Sequence, residues 1–155
     1  MTRLTLEGAQ RVFVFALSAT AAAIACRFGG GSAYLAPFLA TAAVLAGAGK
    51  EIQQAVVSTL VVYAISIVIG TLGHVLLPAS PSAVVLACAA GFLLCVLSKR
   101  QHPPALALLA LVFTRQPDVL ASIGLLGTAL AAALAAVAGH RINMGVLLKR
   151  WAVTQ

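Results

Sequence analysis

Acidic side chains are nearly missing from this chain. Glu7, Glu51 and Asp118 are the only three, and none lies inside an apolar stretch. That argues against paired-carboxylate acid–base chemistry. It also argues against the mid-membrane carboxylate that proton- and cation-coupled carriers use, although backbone and hydroxyl groups remain able to hold sodium. Charged residues of both signs make up only 8%, where a soluble domain carries about 25%. Aromatics are 6%; with no apolar–polar alternation, this speaks against a membrane β-barrel. Cysteines number three, Cys26, Cys88 and Cys95, all within apolar segments and without C-x-x-C or Cys/His ligand spacing. Neither a disulfide framework nor a metal centre is expected. There is no G-x-x-x-x-G-K-[ST], no nucleophile elbow and no H-E-x-x-H. The one loose nucleophile pairing, Cys95 with His102, has no spacing to support it, so an enzyme and a cofactor are not expected.

What is present is apolar. Hydrophobic residues make up 62%, more than one soluble core of this size can hide. From Ile52 to Ser98 there is no Lys, Arg, Asp or Glu, a run longer than two spans at about 20 residues each. The reading is an all-α, polytopic membrane helical bundle in one membrane domain, 1–155. The net charge of +7 would raise nucleic acid in a soluble protein. Here the bases stand singly or in pairs between apolar runs, the pattern of membrane anchoring, and no nucleic-acid partner is expected.

Polar punctuation predicts six segments: Val12 to Cys26, Ala33 to Ala48, Ile52 to Leu77, Ser82 to Ser98, Pro103 to Phe113 and Val119 to Gly139. Ala23-Ile24-Ala25-Cys26 loosely resembles a lipoprotein processing site, but the segment reads as a retained first span. If all six cross, Arg3, Arg11, Lys50, Lys99, Arg100, Arg141, Lys149 and Arg150 share one side and only Arg27 and Arg115 the other. If the second and fifth dip in and return, the split is even. The positive-inside rule favours six crossings with both termini, and a tail over 140–155, in the cytoplasm. The fifth segment is short for this, reaching about 17 Å against a core near 30 Å. It is therefore expected to be a broken helix, or a crossing continued by Lys99 to His102. Residue usage points to a bacterial inner (plasma) membrane.

Three landmarks repeat in order. Pro37 and Pro103 are 66 apart, Glu51 and Asp118 are 67 apart, and Gly73-His74 and Gly139-His140 are again 66 apart. With three crossings per half, halves 1–77 and 78–145 form an inverted repeat of three plus three, the plan of many transporters. Glu51 and Asp118 are expected to cap helices or pair with nearby bases. Tyr34 and Trp151 read as interface anchors. Gly124, Gly127, Ala131, Ala135 and Gly139 offer small faces for helix contact, and a thin bundle of this kind is expected to be a homo-oligomer.

Few residues can carry chemistry. Ser98-Lys99-Arg100-Gln101-His102-Pro103-Pro104 places three basic groups before a helix start whose positive end faces His102. Two readings stay open: an anion-attracting vestibule, or a cytoplasmic anchor pair with a helix-capping histidine. His74 and His140 stand at matching helix ends as gating candidates or interfacial caps. Ser58, Thr59, Tyr63, Ser66 and Thr71 dot the third segment; Ser58 and Ser66 are the pore-lining candidates, against hydroxyls bonded to backbone.

His102-Pro103-Pro104, after a basic loop and between short apolar segments, resembles the signature of the HPP family of small integral membrane proteins. Ala40-Thr41-Ala42-Ala43-Val44-Leu45 is similar to that family's Gly-Ala-Ser-Ala-Val-Leu segment, with Ala40 where a Gly is usual. Leu106 replaces the Gly that commonly follows Pro-Pro-Ala, and Lys50 to Val57 has no counterpart of the family's Pro- and Asn-containing stretch. The family is described as four-spanning, with plant and cyanobacterial relatives linked to nitrite transport. The resemblance implies a transporter or channel for a small inorganic anion, nitrite by name. The anion site is then expected at His102, Lys99 and Arg100, with Pro103, Pro104, Pro37 and Thr41. The Pro37 and Pro103 helix starts would present N–H groups to it. The alternative is a non-transporting membrane subunit whose basic loops bind lipid or a partner protein.

Overall fold

A computed structural model of the protein describes residues 6–29, 32–78, 80–100 and 102–142. Arg3, Lys149, Arg150 and Trp151 lie outside them. Six helices follow one another: α1 (Leu6–Gly29), α2 (Leu35–Gly47), α3 (Ile52–Leu76), α4 (Pro81–Leu97), α5 (Pro103–Arg115) and α6 (Val119–Arg141), with 3-10 turns at Ser32–Tyr34 and Gly49–Glu51. Among the described residues there is no strand. The six-segment reading holds, and the expected ends fall within three residues of the observed ones except at the start of α1. That helix begins six residues early because Arg11 pairs with Glu7 one turn back (2.6 Å), so both charges fit in its first turns.

α1, α3 and α6 are long and apolar enough to cross a membrane. Their neighbours are short; α2 and α5 have 13 residues each and rise about 20 Å. The surface is apolar along the helices: Val85, Leu86, Ile123 and Leu134 are 59–68% exposed. The interior is built largely of small residues, such as Ala22, Ala42, Ala105, Ala129, Ala132 and Ala136, around Phe38, Tyr63, Leu108 and Val112. Greasy side chains outside and small ones inside suit a hydrocarbon solvent and close helix approach.

The contacts define two ends. α1 runs antiparallel to α6, since Gln10 Nε2 donates to the Gly139 carbonyl (2.7 Å) and Ser18 Oγ to that of Ala132 (2.8 Å). α3 begins where α6 ends, around a shared pocket of Lys50, Ile52, Val137 and Arg141. α5 follows the second half of α3: His102 lies by Tyr63, Leu109 by Gly70 and Phe113 by Gly73. α2 points the other way, from Tyr63 toward the end of α6, where His140 Nε2 meets the Leu45 carbonyl (3.0 Å). Two short helices thus start near the middle of the bundle and leave it in opposite directions.

Exchanging α1–α3 for α4–α6 gives most helix pairs a counterpart of the same kind. The pair α1·α6 answers to α3·α4, α1·α2 to α4·α5 and α2·α6 to α3·α5, while α3·α6 and α2·α5 answer to themselves. The matched pairs are unequal: α1 packs on α6 far more extensively than α4 on α3, and α2·α3 has no comparable counterpart. His140 against Leu45 on α2 corresponds to His74 against Phe113 on α5. Arg11, Lys50, Lys99, Arg100 and Arg141 gather at the end where α3 begins; Arg27 and Arg115 close helices at the other.

Three expectations need correction. Tyr34 is 5% exposed and stands at the N-cap of α2, so it is a packing residue and not an interface anchor. Glu51 sits at the N-cap of α3 without a side-chain bond, whereas Asp118 does cap α6 by accepting from the Ala121 N–H (2.6 Å). The packed face of α6 includes Thr128, Ala132, Ala136 and Gly139; Gly127 faces outward, and a β-carbon placed there would meet nothing within 4 Å.

Candidate functional site

α4 ends in a left-handed turn. The Arg100 N–H bonds the Cys95 carbonyl (2.9 Å) and the Lys99 N–H that of Val96 (3.0 Å), with Lys99 at φ 55°. This is the closing motif in which glycine is the usual residue, because a side chain at such φ costs about 1–2 kcal/mol. Lys99 holds the position at that cost. Beyond it, Pro103 and Pro104 start α5, and the proline after His102 keeps its backbone extended (φ −142°, ψ 84°). His102 stands at the N-cap, but its side chain caps nothing. The ring turns inward instead.

It meets a buried polar cluster. His102 Nε2 is 3.1 Å from Thr41 Oγ1. Thr41 Oγ1 also contacts the Tyr63 hydroxyl and donates to the Pro37 carbonyl (2.9 Å), to which Tyr63 donates as well (3.1 Å). Phe38 stacks on Tyr63 at 5.2 Å, and the Tyr63 and His102 rings are 5.6 Å apart. Thr41 and Tyr63 are fully buried and His102 is 4% exposed. Each hydroxyl has one proton and the imidazole contributes at most one at Nε2, so three protons serve four contacts. One contact always lacks a proton, and the cluster can rearrange or admit a further hydrogen-bonding group.

Its depth sets its meaning. Tyr63 is the twelfth residue of the 25-residue α3, about 17 Å from the helix start at 1.5 Å per residue. Lys99 and Arg100 stand higher, against Gln53, Gln54 and Ser58, around a vestibule of about 480 Å³. One guanidinium nitrogen of Arg100 is buried there without a partner. Thr59, one helical turn from Tyr63 on the vestibule side, is fully buried and its hydroxyl is also unpartnered. Leaving such a buried group unpaired costs about 1–3 kcal/mol, so both positions favour a hydrogen-bonding partner. Below them a cavity of about 40 Å³ reaches His102, lined by Phe92, Cys95, Pro103 and Leu106.

The structure brings His102, Thr41 and Pro37 together at mid-bundle and groups Lys99, Arg100 and Ser58 at the vestibule. Pro104 is buried behind His102 and Pro103 is exposed. Ser66 is buried three residues beyond Tyr63. His74 lies apart, edge-on to Phe113 at the opposite end, and His140 packs on α2 at the basic end. The helix starts supply fewer N–H groups than expected. Pro37, Pro103 and Pro104 have none, and the Ala105 N–H closes on the His102 carbonyl (2.9 Å). The donors at the centre are side chains. Tyr63, Thr59 and Cys95 were not placed in the site by sequence. Thr59, Tyr63 and Ser66 at intervals of four and three residues mark one helix face, which was the available signal.

Lys99→Gly tests the left-handed turn. It should leave the protein as stable or raise its melting temperature, since the left-handed residue loses its β-carbon. A melting curve in detergent reads this; a destabilised variant would mean that the left-handed turn is not there.

Among the described residues no three His, Cys, Asp or Glu converge as metal ligands. Comparisons of the chain with protein-family models, curated proteins and solved structures find no match.

Proposed function

We propose that this protein is a multi-pass membrane protein that passes a small inorganic anion along α3 and α5, between the Arg100 vestibule and the His102 cluster. One observation carries the reading. Two short helices begin at mid-bundle and run in opposite directions, and a buried imidazole and two hydroxyls lie where they meet. Polar side chains at that depth of an apolar bundle are expensive and mark pathways. Helix N-termini there favour negative charge. Lys99 and Arg100 concentrate anions at the entrance, and no acidic residue lies within the six helices except Glu7 in the first turn of α1.

The basic end faces the cytoplasm by the positive-inside rule, so the start of α1 and the end of α6 are both inside. A bacterial plasma membrane and a homo-oligomer complete the reading. The resemblance of His102-Pro103-Pro104 to the HPP family makes nitrite the first substrate to try. The rival, a non-transporting subunit, draws support from the closed centre: its polar groups bond one another and only about 40 Å³ is open beside His102.

Purified protein in proteoliposomes, challenged with nitrite, nitrate, chloride, formate and sulfate, decides between them. Monovalent anions should cross faster than in protein-free vesicles, and sulfate, whose double charge makes dehydration far costlier, should not. Flux at the protein-free level for every anion would favour the rival.

A further inference from the structure

The pocket between the start of α3 and the end of α6 has no part in the path above. It measures about 560 Å³. Lys50, Gln53, His140 and Arg141 form its polar rim, and Ile52 and Val137 its apolar flank. One turn from Val137, Leu134 is 59% exposed on the outer face of α6. The pocket therefore joins a cationic rim to a greasy outer flank, at the ends of two helices long enough to cross a membrane. Among the described residues the one ion pair is Arg11 with Glu7, so neither Lys50 nor Arg141 is neutralised by a carboxylate.

The same two helices supply an internal control. A second groove between α3 and α6 lies toward the opposite end and reaches deeper along both helices. It is lined by Ile67, Thr71, Leu72, Pro117, Val119 and Leu126 among others, measures about 360 Å³ and contains no charged residue. The same helices thus build two grooves, and only one carries cations. The packing does not require those charges.

We infer that the α3/α6 pocket at the basic end binds the phosphodiester headgroup of an anionic phospholipid, with its acyl chains against the flank that Leu134 continues. Lys50 and Arg141 supply charge, and Gln53 and His140 supply hydrogen bonds. The inference needs membrane residence but not anion transport, and its test involves no flux.

Native mass spectrometry of the full chain, titrated with phosphatidylglycerol or phosphatidylcholine of identical acyl chains, reads it. Phosphatidylglycerol should bind the more tightly. Each basic residue at a lipid surface contributes about fivefold, so Lys50→Gln/Arg141→Gln should weaken phosphatidylglycerol binding by roughly thirtyfold. Lys50→Arg/Arg141→Lys should retain it, and so should Arg27→Gln/Arg115→Gln at the opposite end. Equal affinity for the two lipids, or undiminished binding by the glutamine variant, overturns the inference. So does displacement of the lipid by millimolar inorganic phosphate, which would assign the pocket to the free ion.

Discussion

Replacing His102 by alanine should bring anion flux down by roughly 10- to 100-fold, toward the level of protein-free vesicles, while the protein still inserts and remains monodisperse. A hydrogen bond to a charged group contributes about 1.5–3 kcal/mol, and that sets the range. The imidazole is the one nitrogen-bearing side chain in the central cluster, 3.1 Å from Thr41 and bordering the small cavity. The fold has reason to survive. Thr41 and Tyr63 keep each other and the Pro37 carbonyl as partners, so no hydroxyl is orphaned. The lost neutral bond costs only about 0.5–1.5 kcal/mol. Tyr63→Phe removes one of the cluster's three protons and should give a smaller loss in the same direction. Wild-type flux from His102→Ala would remove the imidazole from the path.

Gly70→Ala should damage the bundle more than any other glycine substitution in the helices. A β-carbon there would lie 2.9 Å from the Leu109 carbonyl oxygen and 2.9 Å from Val112 Cβ. Neither is a flexible tip; relief requires α5 itself to lift away from α3. Overpacking typically costs about 1–3 kcal/mol, and this site belongs at the upper end. Two other glycines calibrate it. At Gly91 the nearest atom is Leu109 Cδ1, 2.5 Å away, a side-chain end that can swing aside, so alanine should be milder there. At Gly127 nothing lies within 4 Å, and alanine should gain up to about 1 kcal/mol of helix propensity. Melting midpoints of the three variants in one detergent should rank Gly127, Gly91, Gly70 from highest to lowest. A Gly70→Ala midpoint equal to that of Gly127→Ala would mean that α3 and α5 do not approach so closely.

Much of the architecture could be read before any coordinates. Apolar runs broken by Lys50-Glu51, Pro78, Lys99-Arg100 and Pro117-Asp118 delimit the helices because charge and proline are costly inside them. Landmarks 66 or 67 residues apart predict matching halves; most helix pairs have a counterpart under that exchange, but of unequal extent. The short fifth segment could be recognised from its length alone.

The site was less open to reading, and individual hydroxyls show why. Thr41, Thr114 and Thr128 each bond a carbonyl four residues back on their own helix. Only Thr41 also reaches Tyr63 and His102. Nothing in their local sequence separates them; the rotation of each helix and its neighbours does. Likewise, Tyr34 and His102 are the N-cap residues of the two short helices, but only His102 joins the polar cluster.

The chain by itself determined that there would be six helices and where charge would interrupt them, because these follow from transfer energies and spacing along one dimension. Tertiary packing alone decided that Thr41, Tyr63 and His102 share one point, that Tyr34 is buried, and that Thr59 and Arg100 hold unpaired groups. Those outcomes depend on which faces of separate helices meet, and a periodicity of 3.6 residues in a uniformly apolar segment carries no mark of its partner.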